Sequence, residues 1–174
     1  MRGKENSLPP VTIRRVKESE KEALKALRLR SLSTDPMSFA STFEEESKGE
    51  EEKWTEFGHR AAMSSEMVVL VAEPVGGPLV GMVGAFSEKG VTHVWGMWVD
   101  PDHRKLGLGG RLLDAILSQI EASYPATQVK LGVVTTSESA VRLYRSRGFV
   151  ETGRVEPLEH TPGTVWHEMI RRHE

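Results

Sequence analysis

The segment WVDPDHRKLGLGGRLL, residues 98–113, begins as a strand and ends as a helix. An apolar run ends at Val99, and the pair Asp100-Pro101 interrupts it. A basic stretch with closely spaced glycines follows, and then come leucines at helical spacing. Glycine allows a ligand close to the backbone, and the first amides of a helix have no partner inside it, so they can bind an anion. The segment therefore predicts a turn that binds a phosphate-bearing ligand.

Two common phosphate-binding motifs do not fit this turn. A P-loop requires Lys and then Ser or Thr after its last glycine, whereas Gly110 is followed by Arg111 and Leu112. The dinucleotide-binding motif requires a small residue three positions after Gly109, and Leu112 occupies that place. Both nucleotide-binding interpretations are therefore excluded.

Length and composition favour a single domain. The chain has 174 residues, of which 38% are hydrophobic, and this is enough for one core. Residues 1–10 are polar and end in two prolines, so we expect a flexible N-terminal tail before one domain over residues 11–174. The formal net charge of -2 does not favour a polyanionic partner, and we expect no binding to nucleic acid.

Several classes of site and location are disfavoured by what the sequence lacks. There is no Cys, so disulfides and cysteine nucleophiles are excluded. His167-Glu168 is not a metalloprotease motif, because Arg171 stands where the second histidine would be, and we expect no metal site. The sequence shows neither a signal peptide nor an apolar run of membrane-spanning length, so we expect a cytoplasmic protein without membrane contact.

Hydrophobic periodicity predicts a mixed α/β fold. Helices are predicted over residues 18–32 (with Ser19 as the N-cap), 36–48, 51–63, 107–122 and 139–147. Strands are predicted over residues 11–16, 67–72, 79–86, 91–99, 129–134, 149–154 and 164–170. Short connections join the second, third and fourth strands into an antiparallel meander, and the next strand follows a helix, which favours a parallel neighbour. We therefore expect a mixed sheet of about seven strands with helices on both faces.

Two motifs resemble signatures of a known family. The pattern Arg104-x-x-Gly107-x-Gly109, following the Val99-Asp100-Pro101 strand end, closely resembles the acetyl-CoA pyrophosphate loop of the GNAT N-acetyltransferases. The segment LYRSRGF, residues 143–149, resembles the second signature of this family, in which a tyrosine-bearing helix ends at Gly-Phe. Ser137 departs from the asparagine that many members carry at this point. The predicted order of helices and strands matches the family over nearly the whole chain.

The resemblance implies the GNAT acyl-CoA N-acyltransferase fold and the family's reaction. The co-substrate would be acetyl-CoA, and acetyl would pass directly to a primary amine in a ternary complex, without a metal. The backbone N–H of Val99 would polarise the thioester carbonyl, and the hydroxyl of Tyr144 would act on the leaving thiolate. The residues implied to bind the cofactor are Met97, Trp98, Val99, Arg104, Lys105, Leu106, Gly107, Leu108, Gly109, Gly110, Ser137 and Tyr144.

A base is needed because an amine arrives protonated. His93 occupies a position where some members of the family carry a glutamate base, and an ordinary histidine titrates near pH ~6.5. Strict alternation would place His93 on one strand face with Trp95, Met97 and Val99, so Trp95 could line the acceptor pocket. Glu66 and Glu168 are alternatives, and a purely structural histidine is a further one.

The acceptor is not defined by these motifs. The glutamate runs at residues 44–46 and 50–52 are either a solvated helix surface or an acidic rim that attracts a cation. We expect a small cationic amine or a protein amine as acceptor. Two alternatives remain: an acyl-CoA-binding regulatory module without turnover, and a transferase for a longer acyl group. A homodimer formed through an edge strand or the last hairpin is also consistent with the sequence.

Overall fold

One seven-stranded mixed sheet forms the centre of the protein, which is described here from a computed structural model covering residues 9–134 and 136–172. The strands are β1 (Val11–Arg15), β2 (Met67–Pro74), β3 (Gly81–Glu88), β4 (Val91–Val99), β5 (Gln128–Val134), β6 (Phe149–Pro157) and β7 (Val165–Arg171). Their order is β1-β2-β3-β4-β5-β7-β6, and β4 and β5 are the parallel pair.

The described ranges contain five α-helices, which lie on both sides of the sheet. They are α1 (Lys21–Thr34), α2 (Phe43–Ser47), α3 (Glu51–Met63), α4 (Leu108–Ser123) and α5 (Glu138–Ser146). Apolar residues of α1 and α3 form a core with one face, whereas those of α4 and α5 form a second core with the other. The expected mixed α/β sheet with helices on both faces is confirmed.

Two helix starts differ from the sequence-based expectation. The region predicted as one helix over residues 18–32 begins as a 3₁₀ turn, Glu18–Glu20, so the N-cap of α1 is Glu20 and the assignment of Ser19 was wrong. The region 36–48 contains a 3₁₀ turn, Pro36–Ser38, and then the short helix α2. Helix α2 starts at a capping box, in which the side chains and backbone amides of Thr42 and Glu45 bind each other reciprocally.

Strands β4 and β5 pair over only a short length. Their parallel ladder joins Val91–His93 to Gln128–Lys130, and both strands continue beyond it, β4 to Val99 and β5 to Val134. Since β4 stays paired with β3, the two parallel strands diverge and open a cleft in the sheet.

A β-bulge alters the second half of β4. Gly84 pairs with Trp95 and Met82 pairs with Trp98, so two residues of β4 face the single residue between them on β3. Gly96 occupies the bulge with a φ of 65°, a left-handed conformation that favours glycine. Because the bulge adds one residue to β4, the side chains after it point to the opposite faces from those that strict alternation along the strand predicts.

No helix in the described ranges combines the length and apolar character needed to cross a bilayer. Within the same ranges, no group of three or more His, Asp or Glu side chains is arranged to hold a metal ion. The expected N-terminal tail lies outside the described residues except for Pro9 and Pro10.

Candidate active site

The divergence of β4 and β5 creates a cavity of about 550 Å³. The N-terminus of α4 lies on one side of it and α5 on another, and both strands supply its walls. Of the twelve residues implied to bind the cofactor, this cavity brings together Met97, Trp98, Val99, Arg104, Lys105, Gly107, Leu108, Gly109, Gly110, Ser137 and Tyr144. Leu106 does not line it, and its side chain is 60% exposed.

The glycine turn at this cavity presents free backbone amides. Gly107 is the N-cap of α4 with a φ of 77°, and the first intrahelical bond runs from Arg111 N to Gly107 O at 3.1 Å. The amides of Leu108, Gly109 and Gly110 precede that bond and have no intrahelical acceptor. With the positive end of the helix dipole behind them, these amides form a site suited to a diphosphate.

The side chain of Arg104 is held within the protein. Its Nε donates to Val99 O at 2.9 Å, and its Nη2 donates to a carboxylate oxygen of Asp35. The same oxygen of Asp35 accepts from Trp98 Nε1 at 2.7 Å. These bonds tie the end of α1 to β4 and to the glycine turn, so Arg104 supports the cavity wall whether or not it also contacts phosphate.

The N–H of Val99 faces the cleft. Asp100 N donates to Val80 O at 2.8 Å, one position beyond the end of the β3–β4 ladder, where the chains keep the register of a hydrogen-bonded pair. Such pairs alternate with non-hydrogen-bonded ones in an antiparallel ladder, which makes Gly81 and Val99 a non-hydrogen-bonded pair. The N–H of Val99 therefore points away from β3, toward the gap beside β5.

Tyr144 lies in the cavity wall on α5. The side chain is buried, and its ring packs edge-on against Phe149 with the ring centroids 5.9 Å apart. Burial raises the pKa of the Tyr144 phenol to about 12. The hydroxyl therefore stays protonated over the whole working range of an enzyme, and it can act as a hydrogen-bond donor.

The hydroxyl of Ser137 is also available to a ligand. Ser137 is the N-cap of α5, but its side chain makes no capping bond. Its backbone N–H instead donates to Val134 O at 3.0 Å, which fixes the turn between β5 and α5. A contact of this hydroxyl with the pantetheine arm stays a prediction.

The bulge overturns the expected shared face of β4. Val94, Met97 and Val99 contact the core on the α4 side, whereas Trp95 and Trp98 contact the core on the α1 side. His93 lies on the Trp95 side, since its ring stacks on Phe86 with centroids 4.9 Å apart. His93 and Trp95 therefore share a face, but Met97 and Val99 do not belong to it.

The candidate bases differ in their surroundings. His93 does not line the cofactor cavity, and its role as a base stays a prediction. Glu66 lines a neighbouring cavity of about 490 Å³, together with Phe86 and Trp95. The carboxylate of Glu168 accepts from Thr152 Oγ1 at 3.0 Å and lies 3.6 Å from Lys130 Nζ, so it is already engaged.

The glutamate runs are largely paired within the protein. Glu46 binds Arg28, Glu45 caps α2, and Glu44 contacts the Lys48 ammonium at 2.6 Å. In the second run, Glu51 contacts Lys21 at 2.8 Å and Lys25 at 3.1 Å. These contacts favour the interpretation of a solvated helix surface and weaken that of an acidic rim.

Sequence reasoning missed two residues of this region. Asp35 is not among the predicted site residues, yet it holds both Arg104 and Trp98. Arg28 is not among them either, yet its side chain is only 9% exposed. An isolated glycine within a strand often marks a bulge, so Gly96 was the signal that could have corrected the strand faces.

Comparison with known proteins agrees with this architecture. The sequence matches the family described as the acetyltransferase (GNAT) family over residues 27–149. A comparison with curated proteins gives no significant match in sequence.

Solved structures share the fold. A GNAT-family acetyltransferase from Streptococcus pneumoniae has a TM-score of 0.77 at 23% identity, over 93% of this chain and 99% of that one. A putative acetyltransferase from Salmonella typhimurium, solved with acetyl-CoA, has a TM-score of 0.74 at 16% identity, over 92% of each chain. The spermidine N-acetyltransferase of Vibrio cholerae, in complex with CoA and spermine, gives 0.72 at 17%, over 92% of this chain and 94% of that one. With the sequence match over most of its length, this chain belongs to the GNAT acetyltransferase family.

Proposed function

We propose that this protein is an N-acetyltransferase that moves acetyl from acetyl-CoA to a primary amine by direct attack in a ternary complex. The observation that carries the proposal is the continuity of one cavity from the glycine turn of α4 to the cleft between β4 and β5. Phosphates would bind at the turn, and the pantetheine arm would follow the cleft. The neighbours solved with acetyl-CoA or CoA support this choice of co-substrate.

The chemistry assigns one task to each group. A base first removes a proton from the ammonium, and the neutral amine nitrogen then attacks the thioester carbon. The carbon–sulfur bond breaks, and nitrogen loses a second proton, to the base or to water, as the amide forms. The N–H of Val99 stabilises the charge that develops on the carbonyl oxygen. His93 or Glu66, both on the acceptor side of the sheet, receives the proton directly or through water.

Tyr144 stabilises the leaving thiolate as a hydrogen-bond donor. A thiol has a pKa of about 8.5, whereas burial holds the pKa of Tyr144 at about 12. Complete proton transfer from the phenol would be uphill by about 5 kcal/mol at 1.36 kcal/mol per pKa unit. A hydrogen bond requires no such transfer, and the thiolate can take its proton from solvent after release.

Release of free thiol from acetyl-CoA across a panel of amines and peptides tests the function. The wild-type protein should release thiol in step with acetylation of at least one amine. Tyr144→Phe should lower kcat by about 10- to 100-fold, the usual size for one strong hydrogen bond to a charged group, while the dissociation constant for CoA stays nearly unchanged. A protein that binds CoA and releases no thiol with any amine would instead be a binding module.

A further inference from the structure

Two buried N–H donors without partners in the described residues lie on the side of the sheet covered by α1 and α3. Arg28 Nη1 and Trp95 Nε1 are both buried, and neither has a hydrogen-bond partner among the residues that the structure describes. A buried donor without a partner loses its hydration and gains nothing in return. Such groups are uncommon in folded proteins, and a ligand is one of the explanations for them.

The two donors belong to one aromatic cluster. The Arg28 guanidinium lies 5.0 Å from the centroid of the Phe39 ring and 5.9 Å from that of the Trp95 ring. Its Nε and Nη2 bind the carboxylate of Glu46 at 3.0 and 2.8 Å, which leaves Nη1 as the unused donor. Stacking and the bidentate ion pair fix the guanidinium in place, so the unused donor is preorganised.

Arg28 and Trp95 line a separate cavity of about 360 Å³. Lys53 adds a second cation to its wall. The two glutamates that also line it are already engaged, Glu46 by Arg28 and Glu45 by the backbone N–H of Thr42. The wall therefore carries two cationic and two anionic side chains, and Arg28 among them keeps one N–H without a partner in the described residues.

This cavity adjoins the cofactor cavity at β4. Trp95 lines both, and the next residue, Gly96, lines the cofactor cavity. Arg28 Nη1 lies 3.8 Å from the position that a Cβ on Gly96 would occupy. If an oxygen of a short acceptor molecule binds Arg28, an amine only a few bonds away in that molecule would lie near the cleft between β4 and β5.

We propose that Arg28 and Trp95 bind the carboxylate of the acceptor, so that this enzyme acetylates an α-amino acid or a close analogue. The inference rests on the proposed N-acetyltransferase function. In an α-amino acid the amine and the carboxylate share one carbon, which suits the short path from Arg28 to Gly96. A polyamine has no oxygen, and it would leave both donors unpaired.

Acetylation kinetics with matched acceptors test this inference. The panel contains free α-amino acids, their amides, the amines that lack the carboxyl group, and spermine. The value of kcat/KM should be about 10- to 100-fold higher for at least one amino acid than for its amide or its decarboxylated amine, as expected for a hydrogen-bonded charge. Equal use of the amide or of the decarboxylated amine would overturn the inference.

Matched variants assign the preference to the two side chains. Removing Arg28 alone would leave the partly buried Glu46 without its partner, so the double variant Arg28→Gln/Glu46→Gln removes the pair together. It should lose most of the preference for the acid, whereas Glu46→Gln alone should keep it. Trp95→Phe should raise KM for the amino acid about 5-fold, since it removes one hydrogen bond and keeps a ring. Trp54→Phe, the same exchange in the same cavity, should leave the preference intact.

The two possible failures are distinguishable. A folded double variant that keeps the full preference for the acid overturns the role of Arg28, although thiol release continues and the transferase function stands. Absence of thiol release with every amine in the panel overturns the transferase function, and this inference with it.

Discussion

Tyr144 combines burial with a place in the cavity wall. Apolar neighbours such as Phe149 exclude water from the ring, and this disfavours the charged phenolate. The same burial that makes Tyr144 a poor proton donor keeps it neutral when the thiolate forms. The resemblance to the family indicated which tyrosine to consider, but only the structure shows this limit on its chemistry.

The raised pKa of Tyr144 is measurable by absorbance. Folded protein should show a tyrosinate step near pH 12 at 295 nm, and Tyr144→Phe should remove it. Because folding raises the pKa, Tyr144 contributes stability that is complete below about pH 10, the ordinary tyrosine pKa. That contribution is lost as the pH rises through 12. Circular dichroism at each pH confirms that the chain is still folded, and a wild-type titration without the upper step would contradict the assignment.

Gly84 positions Trp95 by leaving room for its ring. A Cβ at Gly84 would overlap the Trp95 ring, so even alanine must displace the indole. We expect Gly84→Ala to lower the free energy of unfolding by about 2 kcal/mol, as overpacking usually does, and to raise KM for the acceptor more than KM for acetyl-CoA. Gly77→Ala is the control, because its Cβ would meet only Pro74 at an ordinary 3.6 Å. Equal stability of the two variants in urea would refute this role.

At the scale of elements, sequence patterns predicted most of the sheet and little of its distortion. The bounds of α3 and β4 agree with the prediction, because amphipathic spacing and a β-branched, aromatic run are local signals. The insertion of β7 between β5 and β6 depends on long-range pairing, which no local pattern contains. The partners of Arg28 and Asp35 are 18 or more residues away, so their roles were equally invisible.

Arg14 joins three elements near the edge of the sheet. From β1 it contacts Glu73 on β2 at 2.8 Å and Glu20 in the 3₁₀ turn at 2.6 Å. The Arg14 guanidinium holds the pKa of both carboxyl groups below the ordinary value. This arrangement anchors the edge strand and the start of α1 at the same point.

Loss of the Glu20 contact should weaken the fold in a pH-dependent way. A depressed pKa means that Glu20 contributes stability above its unfolded pKa, and the contribution disappears as the pH falls through the folded value. We expect Glu20→Gln to cost about 1–2 kcal/mol at pH 7 and much less at pH 3. Urea denaturation at the two pH values measures the difference. Glu22→Gln, at an exposed position two residues away, is the control, and equal losses at both pH values would count against the Arg14–Glu20 pair.

At the scale of the whole molecule, the sheet separates two groups of helices. In the proposed function, the glycine turn, α4 and α5 form the cofactor side, whereas α1, α2 and α3 form the acceptor side. The cleft between β4 and β5 is the point where the sheet leaves an opening, and Trp95 borders the cavities on both sides of it. The proposed direct transfer in a ternary complex would use this division, with one substrate on each side of the sheet. Dimerisation stays a prediction from the exposed sheet edge.

Binding of CoA should stabilise the whole fold, because the turn of α4 and the end of β4 are held by the same ligand. A ligand at 100 times its dissociation constant adds about 2.7 kcal/mol to the free energy of unfolding, which raises the thermal unfolding midpoint of a domain of this size by about 5–10 °C.

Gly109→Asp tests where the phosphates bind, because it places a negative charge among the backbone amides at the N-terminus of α4. A negative charge interacts favourably with the N-terminal end of the helix dipole, so the variant should stay folded without CoA. Because the same charge repels the pyrophosphate, the thermal shift with CoA should vanish. Gly109→Ala, whose Cβ meets Leu143 at 3.6 Å, should keep most of the shift. If the aspartate variant binds CoA as the wild type does, the phosphates do not lie on the amides of this turn.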